Sequence, residues 1–154
     1  HLLRNVVNDP GMIVYLNNDV STVKKPNENL AREFLELFSL GEGKYNEKDI
    51  KNLAKAIAPY GINFVSEKAN WFSSKASGRE FKAFGKSYKN FDEFVELIAG
   101  RADFGEMIVK KFYREFVSVK PPRTNDIAIL MSKFRASNFS ISKLFEATIS
   151  LKSF

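Results

Sequence analysis

Apolar residues recur at helical spacing along most of the chain, and the clearest run lies between Pro26 and Gly41. At 100° per residue, Leu30, Ala31, Phe34, Leu35, Leu37 and Phe38 fall on one side. Asn27 follows a proline and is placed to cap the free amides of a first turn. Glu28 sits at the positive end of the helix dipole. Gly41 provides a stop, because glycine accepts the left-handed conformation that ends many helices. The spacing therefore predicts a helix over 27–40. Its opposite side carries Glu28, Arg32 and Glu36 at successive i,i+4 steps, with Asn29 and Glu33 beside them.

Similar patterns surround it. His1 to Val7 runs in helical register, and Asp9-Pro10 pairs a capping residue with proline at a first helical position. Met12, Ile13, Tyr15 and Leu16 are then placed to pack, and Asn17-Asn18-Asp19 ends that helix. Asn46-Glu47-Lys48-Asp49 resembles a capping box opening a helix lined by Ile50, Leu53, Ala54 and Ile57 and ended by Pro59. Near residues 60–88 the rhythm breaks. Ile62 to Val65 and Glu80 to Phe84 read as short strands around a mostly polar connection, a small β-hairpin-like excursion. Helical signals resume with Asn90 as a cap. A longer helix follows, with Ile108, Val109, Phe112, Tyr113, Phe116 and Val117 on one face. After Pro121-Pro122, Thr124 or Asn125 caps a helix carrying Ile127, Leu130, Met131 and Phe134. Ser140 or Ser142 opens the last, with Leu144, Phe145, Thr148, Ile149 and Leu151 toward the core. The prediction is a mainly α fold, an irregular bundle of six to seven helices in a single domain spanning 1–154.

Composition agrees with a folded core. The chain has 154 residues, 44% of them hydrophobic and fifteen of them Phe, too apolar for disorder. No apolar run is long enough to cross a membrane. The formal charge of +6 permits acidic partners without demanding nucleic acid, which is the less favoured partner. The one basic cluster is Lys75, Arg79, Lys82, Lys86 and Lys89, just after Trp71 and Phe72. It reads either as a solvated loop or as a surface for an anionic polymer.

Catalytic side chains are scarce. The only His is residue 1 and there is no Cys, so the usual nucleophile triads and the thiolate or all-imidazole zinc sites lack ligands here. Neither phosphate-binding glycine motif occurs. The acidic residues Glu28, Glu33 and Glu36, with Asp49 able to approach from the next helix, are spaced for helix salt bridges rather than for a calcium loop. No metal and no cofactor are expected. Glu33 borders the apolar face, where burial would raise its pKa and a close Arg32 would lower it.

The polar face of the 27–40 helix has two readings. Either Arg32 bridges Glu28 and Glu36 on a solvated surface, or Asn27, Asn29 and Arg32 bind a ligand beside Arg32, Glu33 and Glu36 as candidate catalytic groups.

Residues 27–41 also resemble a bacterial family known as domain of unknown function 1800, whose members carry N-E-N-[YF]-A-R-E-[LF]-x-E-L-[FH]-[TS]-[LI]-G. Asn27, Glu28, Asn29, Ala31, Arg32, Glu33, Glu36, Leu37, Phe38, Ser39, Leu40 and Gly41 match it. Met12 to Asn18 is similar to the family's M-L-x-Y-L-D-N, Tyr45 to Ile50 to its Y-T-x-x-D-V, and Phe112 to Val117 to its K-L-W-x-x-F-V. The closing Ser150 to Phe154 is similar to its S-x-x-F end. Two stretches depart. Ala54 to Tyr60 replaces A-R-A-L-T-G-W, and Lys75 to Gly85 lacks the His and Asp of H-D-x-G-x-K-T-x-x-G, keeping only Gly78, Lys82 and Gly85. The resemblance implies the C-terminal portion of a longer, exported protein, periplasmic or extracellular, with a second exported protein encoded nearby as a partner. It implies no activity. The sequence thus predicts a binding or assembly module for a protein or anionic polymer. The alternative is part of a hydrolase-like enzyme whose site uses the Asn/Arg/Glu helix and an upstream half.

Overall fold

The structure is a computed structural model that describes residues 2–63, 68–71 and 80–151. The chain divides into two compact units, His1–Ala99 and Gly100–Phe154. Among the described residues there are eight α-helices, one π-helical segment and two two-stranded antiparallel sheets, so the fold is mainly α with one more α-helix than expected.

The first unit opens with α1 (Leu2–Val7) and α2 (Pro10–Tyr15). Asp9 caps α2, its Oδ1 accepting from the Met12 amide at 3.1 Å. Ile13 and Leu16 are buried, but Tyr15 is 78% exposed and does not pack as expected. On so short a helix Tyr15 lies about 200° round from Ile13, facing water. Asn17, with φ of 56°, turns the chain. Asn18 is then fully buried, and its side-chain amide donates to the carbonyls of Ile57 and Tyr60.

The motif helix departs from the expected register. It runs as α3 (Asn29–Glu33) and then widens into a π-helical turn, Phe34–Ser39. The Leu40 amide donates to the Leu35 carbonyl five residues back, at 2.8 Å. Ser39 Oγ donates to the Phe34 carbonyl at 2.6 Å. In an α-helix the buried pair Phe34 and Leu35 would be followed by buried residues near Leu37 and Phe38. Five-residue hydrogen bonding moves the next buried pair to Ser39 and Leu40 and leaves Leu37 47% exposed. Gly41 ends the helix at φ of 84°.

α4 (Glu47–Ile57) starts with the expected capping box. Asn46 Oδ1 accepts from the Lys48 and Asp49 amides, and Asp49 accepts from the Asn46 amide in return. Its buried face is the expected one, Ile50, Leu53, Ala54 and Ile57. The β region is two local hairpins. β1 (Tyr60–Asn63) pairs with β2 (Lys68–Trp71), and β3 (Phe81–Ala83) with β4 (Lys86–Tyr88). Ile62 and Asn63 pair with Ala69 and Lys68, so the excursion holds two hairpins rather than one. The β3–β4 turn explains why: Phe84 and Gly85 both have positive φ, 52° and 71°, the two-residue turn whose twist suits a tight hairpin. Closing two residues costs far less entropy than closing the long connection.

α5 (Phe91–Ala99) closes the unit, with Asn90 Oδ1 accepting from the Glu93 amide at 2.9 Å. Phe94 is its fully buried centre. Its ring lies 5.0 to 6.3 Å from those of Phe34, Phe81, Phe84, Tyr88 and Phe91.

The second unit is three mutually packed helices, α6 (Ala102–Phe116), α7 (Thr124–Ala136) and α8 (Ile141–Ile149). Val109, Tyr113, Leu130, Phe134, Leu144, Ala147 and Leu151 form its core. Neither Thr124 nor Asn125 caps α7. Arg123 holds the cap position and makes no cap bond, and its guanidinium instead grips buried Asp126 at 2.9 and 3.0 Å. Ser140 caps α8 as expected. Phe145 and Ile149 do not join the core. They are 40% and 50% exposed, because the buried series is Leu144, Ala147 and Thr148. The Phe145 ring meets that of Phe116 edge-on at 5.0 Å. Among the described residues no helix is long and apolar enough to cross a membrane.

Candidate functional site

The polar residues around α3 hold one another. Asn27 is committed to backbone: its Oδ1 accepts from the Asn29 amide (2.9 Å), its side-chain amide donates to the Asn17 carbonyl (3.2 Å), and its own N–H donates to Ser21 Oγ (2.9 Å). It closes the loop between α2 and α3. Asn29 is the first residue of α3.

Arg32 reaches forward to the next helix. Its Nη1 and Nη2 donate to the two carboxylate oxygens of Glu47 at 2.9 and 3.1 Å, and Nη2 lies 3.5 Å from Glu28 Oε2. Such a two-pronged match fixes direction as well as distance. The hydrogen bond to Glu47 raises the guanidinium pKa, and the same bond holds the Glu47 carboxyl below the ordinary carboxylate range. Of the two sequence-level partners, the structure gives Arg32 an ion pair with Glu28 and not with Glu36. Glu36 accepts instead from the Tyr45 hydroxyl at 2.7 Å. Glu33 is half-buried and has no side-chain hydrogen bond or ion pair among the described residues. Asp49 does not approach these carboxylates as a ligand. It is buried, and its Oδ1 accepts from the Phe84 amide at 2.7 Å, which pins the β3–β4 turn to the start of α4. Glu47 and Tyr45 are partners that sequence reasoning missed. Both lie in the stretch that resembles the family's second motif, which was the available signal.

Chemically, the arrangement is a lock between two helix starts. The Arg32 fork already holds a carboxylate where an anionic ligand would otherwise bind. Two carboxylates, Glu28 and Glu47, share the one guanidinium, so its charge is already compensated. Among the described residues no group of three or more His, Cys, Asp or Glu could hold a metal ion.

Two tyrosines tie this unit to pH. Burial, then the hydrogen bond to Glu36, pushes the Tyr45 hydroxyl up to about 12. Burial, then the charge of Asp92, pushes Tyr60 up to about 12. An unfolded tyrosine ionises near pH 10. Each raised value means the folded chain keeps its proton longer. Their contribution to stability is therefore complete below about pH 10 and lost as pH rises toward 12. Urea midpoints followed by circular dichroism should fall across that window, and Tyr45→Phe and Tyr60→Phe should each flatten the decline. A midpoint independent of pH there would contradict these environments.

The basic cluster is partly in view. Lys75 and Arg79 lie outside the described residues, as do Phe72 and the side chain of Trp71. Lys82 on β3, Lys86 on β4 and Lys89 just beyond are exposed and have no ion pair among the described residues. The charge is also unevenly divided. Residues 100–154 hold ten Lys and Arg against five Asp and Glu, so they carry +5 of the formal +6.

Comparison with curated proteins and with solved structures gives no match. A family profile described as "Protein of unknown function (DUF1800)" matches residues 1–154. With the whole length matched, the chain belongs to that family of unknown function, DUF1800.

Proposed function

We propose that the chain is a binding module for an anionic polymer, met by the β3–β4 hairpin. The observation that carries this reading is the trio Lys82, Lys86 and Lys89 on and beside the β3–β4 hairpin, each exposed and none in an ion pair among the described residues. Unpaired ammonium groups attract polyanions over a Debye length, and the pairing within the α3 face leaves that task to cations elsewhere. Lys75 and Arg79 extend the same positive run in sequence. The resemblance to exported proteins supports a periplasmic or extracellular setting, where the polymer is a surface glycan or an acidic face of a partner protein encoded nearby.

The test is binding of the 154-residue chain to polygalacturonate and to polyglutamate. Wild type should bind at low salt and release as salt rises. The double variant Lys82→Glu/Lys86→Glu should lose about tenfold or more in affinity. Absence of binding at low salt, or binding indifferent to both salt and the variant, would overturn the proposal.

A second reading, part of a hydrolase-like enzyme, is favoured by one observation. The π-helical turn at Phe34–Ser39 directly follows the unpartnered Glu33, and such turns are frequent at functional sites. In that reading Glu33 is the acid or base, and Arg32 and Glu36 orient it.

A further inference from the structure

Within the second unit, a groove of about 690 Å³ lies between α7 and α8. It is lined by Lys133, Ser137, Ser140, Lys143, Glu146 and the buried Ala147, among others. The space is largely open to solvent, a shallow depression rather than an enclosed cavity.

The hydrogen bonds show which groups remain open to a ligand. Ser137 Oγ donates to the Phe134 carbonyl (2.8 Å) and accepts from the Ser140 amide (3.3 Å), so it is used. Ser140 Oγ accepts from the Lys143 amide at 3.4 Å, which leaves its own hydroxyl proton to give. Lys143 Nζ bridges both oxygens of Glu146 at 3.1 and 2.8 Å, a balanced pair whose carboxylate still has lone pairs to offer. Lys133 is exposed and has no ion pair among the described residues. The groove therefore holds one uncompensated positive charge, one free hydroxyl donor and one carboxylate acceptor. The surrounding unit carries a surplus of +5, which draws anions toward it.

We propose that this groove binds an anionic, hydroxylated ligand of the size of an acidic sugar. Lys133 takes the carboxylate, sulfate or phosphate group. Ser140 Oγ donates a second hydrogen bond, and Glu146 accepts from a ligand hydroxyl. The site goes beyond the hairpin reading and rests on different residues, so the two stand or fall separately.

Nuclear magnetic resonance titration of the nitrogen-15-labelled chain at low salt tests it, with glucuronate, glucose 6-sulfate, glucose 6-phosphate and neutral glucose as probes. Amide shifts should concentrate between residues 133 and 150 for the three charged sugars and be absent for glucose. The tightest of the three names the anionic group. Lys133→Gln, at an exposed position, should keep the spectrum of a folded chain and lower the affinity about tenfold. Glu146→Gln should weaken the charged sugars while leaving inorganic sulfate as tight or tighter, because Lys143 is released. Lys82→Glu/Lys86→Glu should leave this titration unchanged. No shifts in the groove, shifts spread evenly over the lysine-bearing surface, an equal response to glucose, or undiminished affinity in Lys133→Gln would each overturn the proposal.

Discussion

Phe94→Ala is expected to lower the unfolding free energy by about 3–5 kcal/mol, the largest loss of any single substitution considered. Phe94 is fully buried, and five rings from the π-helical segment, the strands and turn of the second hairpin and α5 itself converge on it. The closest is Tyr88, edge-on at 5.0 Å, an arrangement that sets ring edge against ring face. Removing the ring strips contacts from all five neighbours at once, and a shell of stiff aromatics collapses poorly into the space. Since domains are stable by only about 5–15 kcal/mol, the variant should unfold at a much lower urea concentration. Urea titration followed by near-ultraviolet circular dichroism measures this directly. A loss below about 1.5 kcal/mol would mean that the ring is not at the centre of the packing.

Asp49→Ala is expected to cost about 2–4 kcal/mol, combining a lost helix cap with a lost hydrogen bond to the part-buried Phe84 amide. The carboxylate does two jobs from one buried position. It closes the capping box of α4 through the Asn46 amide, and it holds the Phe84 amide at 2.7 Å. Phe84 has φ of 52°, a conformation that side-chain-bearing residues seldom adopt, so the turn depends on that outside acceptor. Asp49→Asn keeps one carbonyl acceptor and should lose less. Urea midpoints give the energies. Amide exchange at Phe84 should accelerate strongly in the alanine variant, and unchanged exchange would contradict the pinning role.

Local chemistry made some of this legible in the sequence. The caps at Asp9, Asn46, Asn90 and Ser140 are short-range hydrogen bonds between neighbours in the chain, and each forms where the residue types place it. The apolar face of α4 follows the 3.6-residue period, so its buried residues were also readable, whereas on α6 only Val109 and Tyr113 of the expected face are buried and Phe116 is 44% exposed. The π-helical turn was not. No propensity distinguishes Phe34–Ser39 from an α-helix, and the shift that puts Ser39 and Leu40 inward and Leu37 outward is set by packing. The separate second hairpin was hidden for a related reason: Phe84-Gly85 forms a two-residue turn with a phenylalanine where asparagine or aspartate is the usual signal. At the candidate site, the Arg32–Glu28 pair was readable because it lies one turn apart. The Arg32–Glu47 and Glu36–Tyr45 contacts join separate elements, which periodicity within one helix does not reveal. The total charge was plain, but its concentration after Gly100 depends on where the chain divides.

The question of whether the α3 face holds the fold or meets the ligand is decided most directly by Arg32→Gln. Its urea midpoint and its polygalacturonate affinity should be measured on the same preparation. Freeing Glu28 and Glu47 from their shared cation should lower the midpoint, while affinity per folded molecule stays at the wild-type value. An unchanged midpoint with lost affinity would contradict it, and would put the guanidinium at the binding surface.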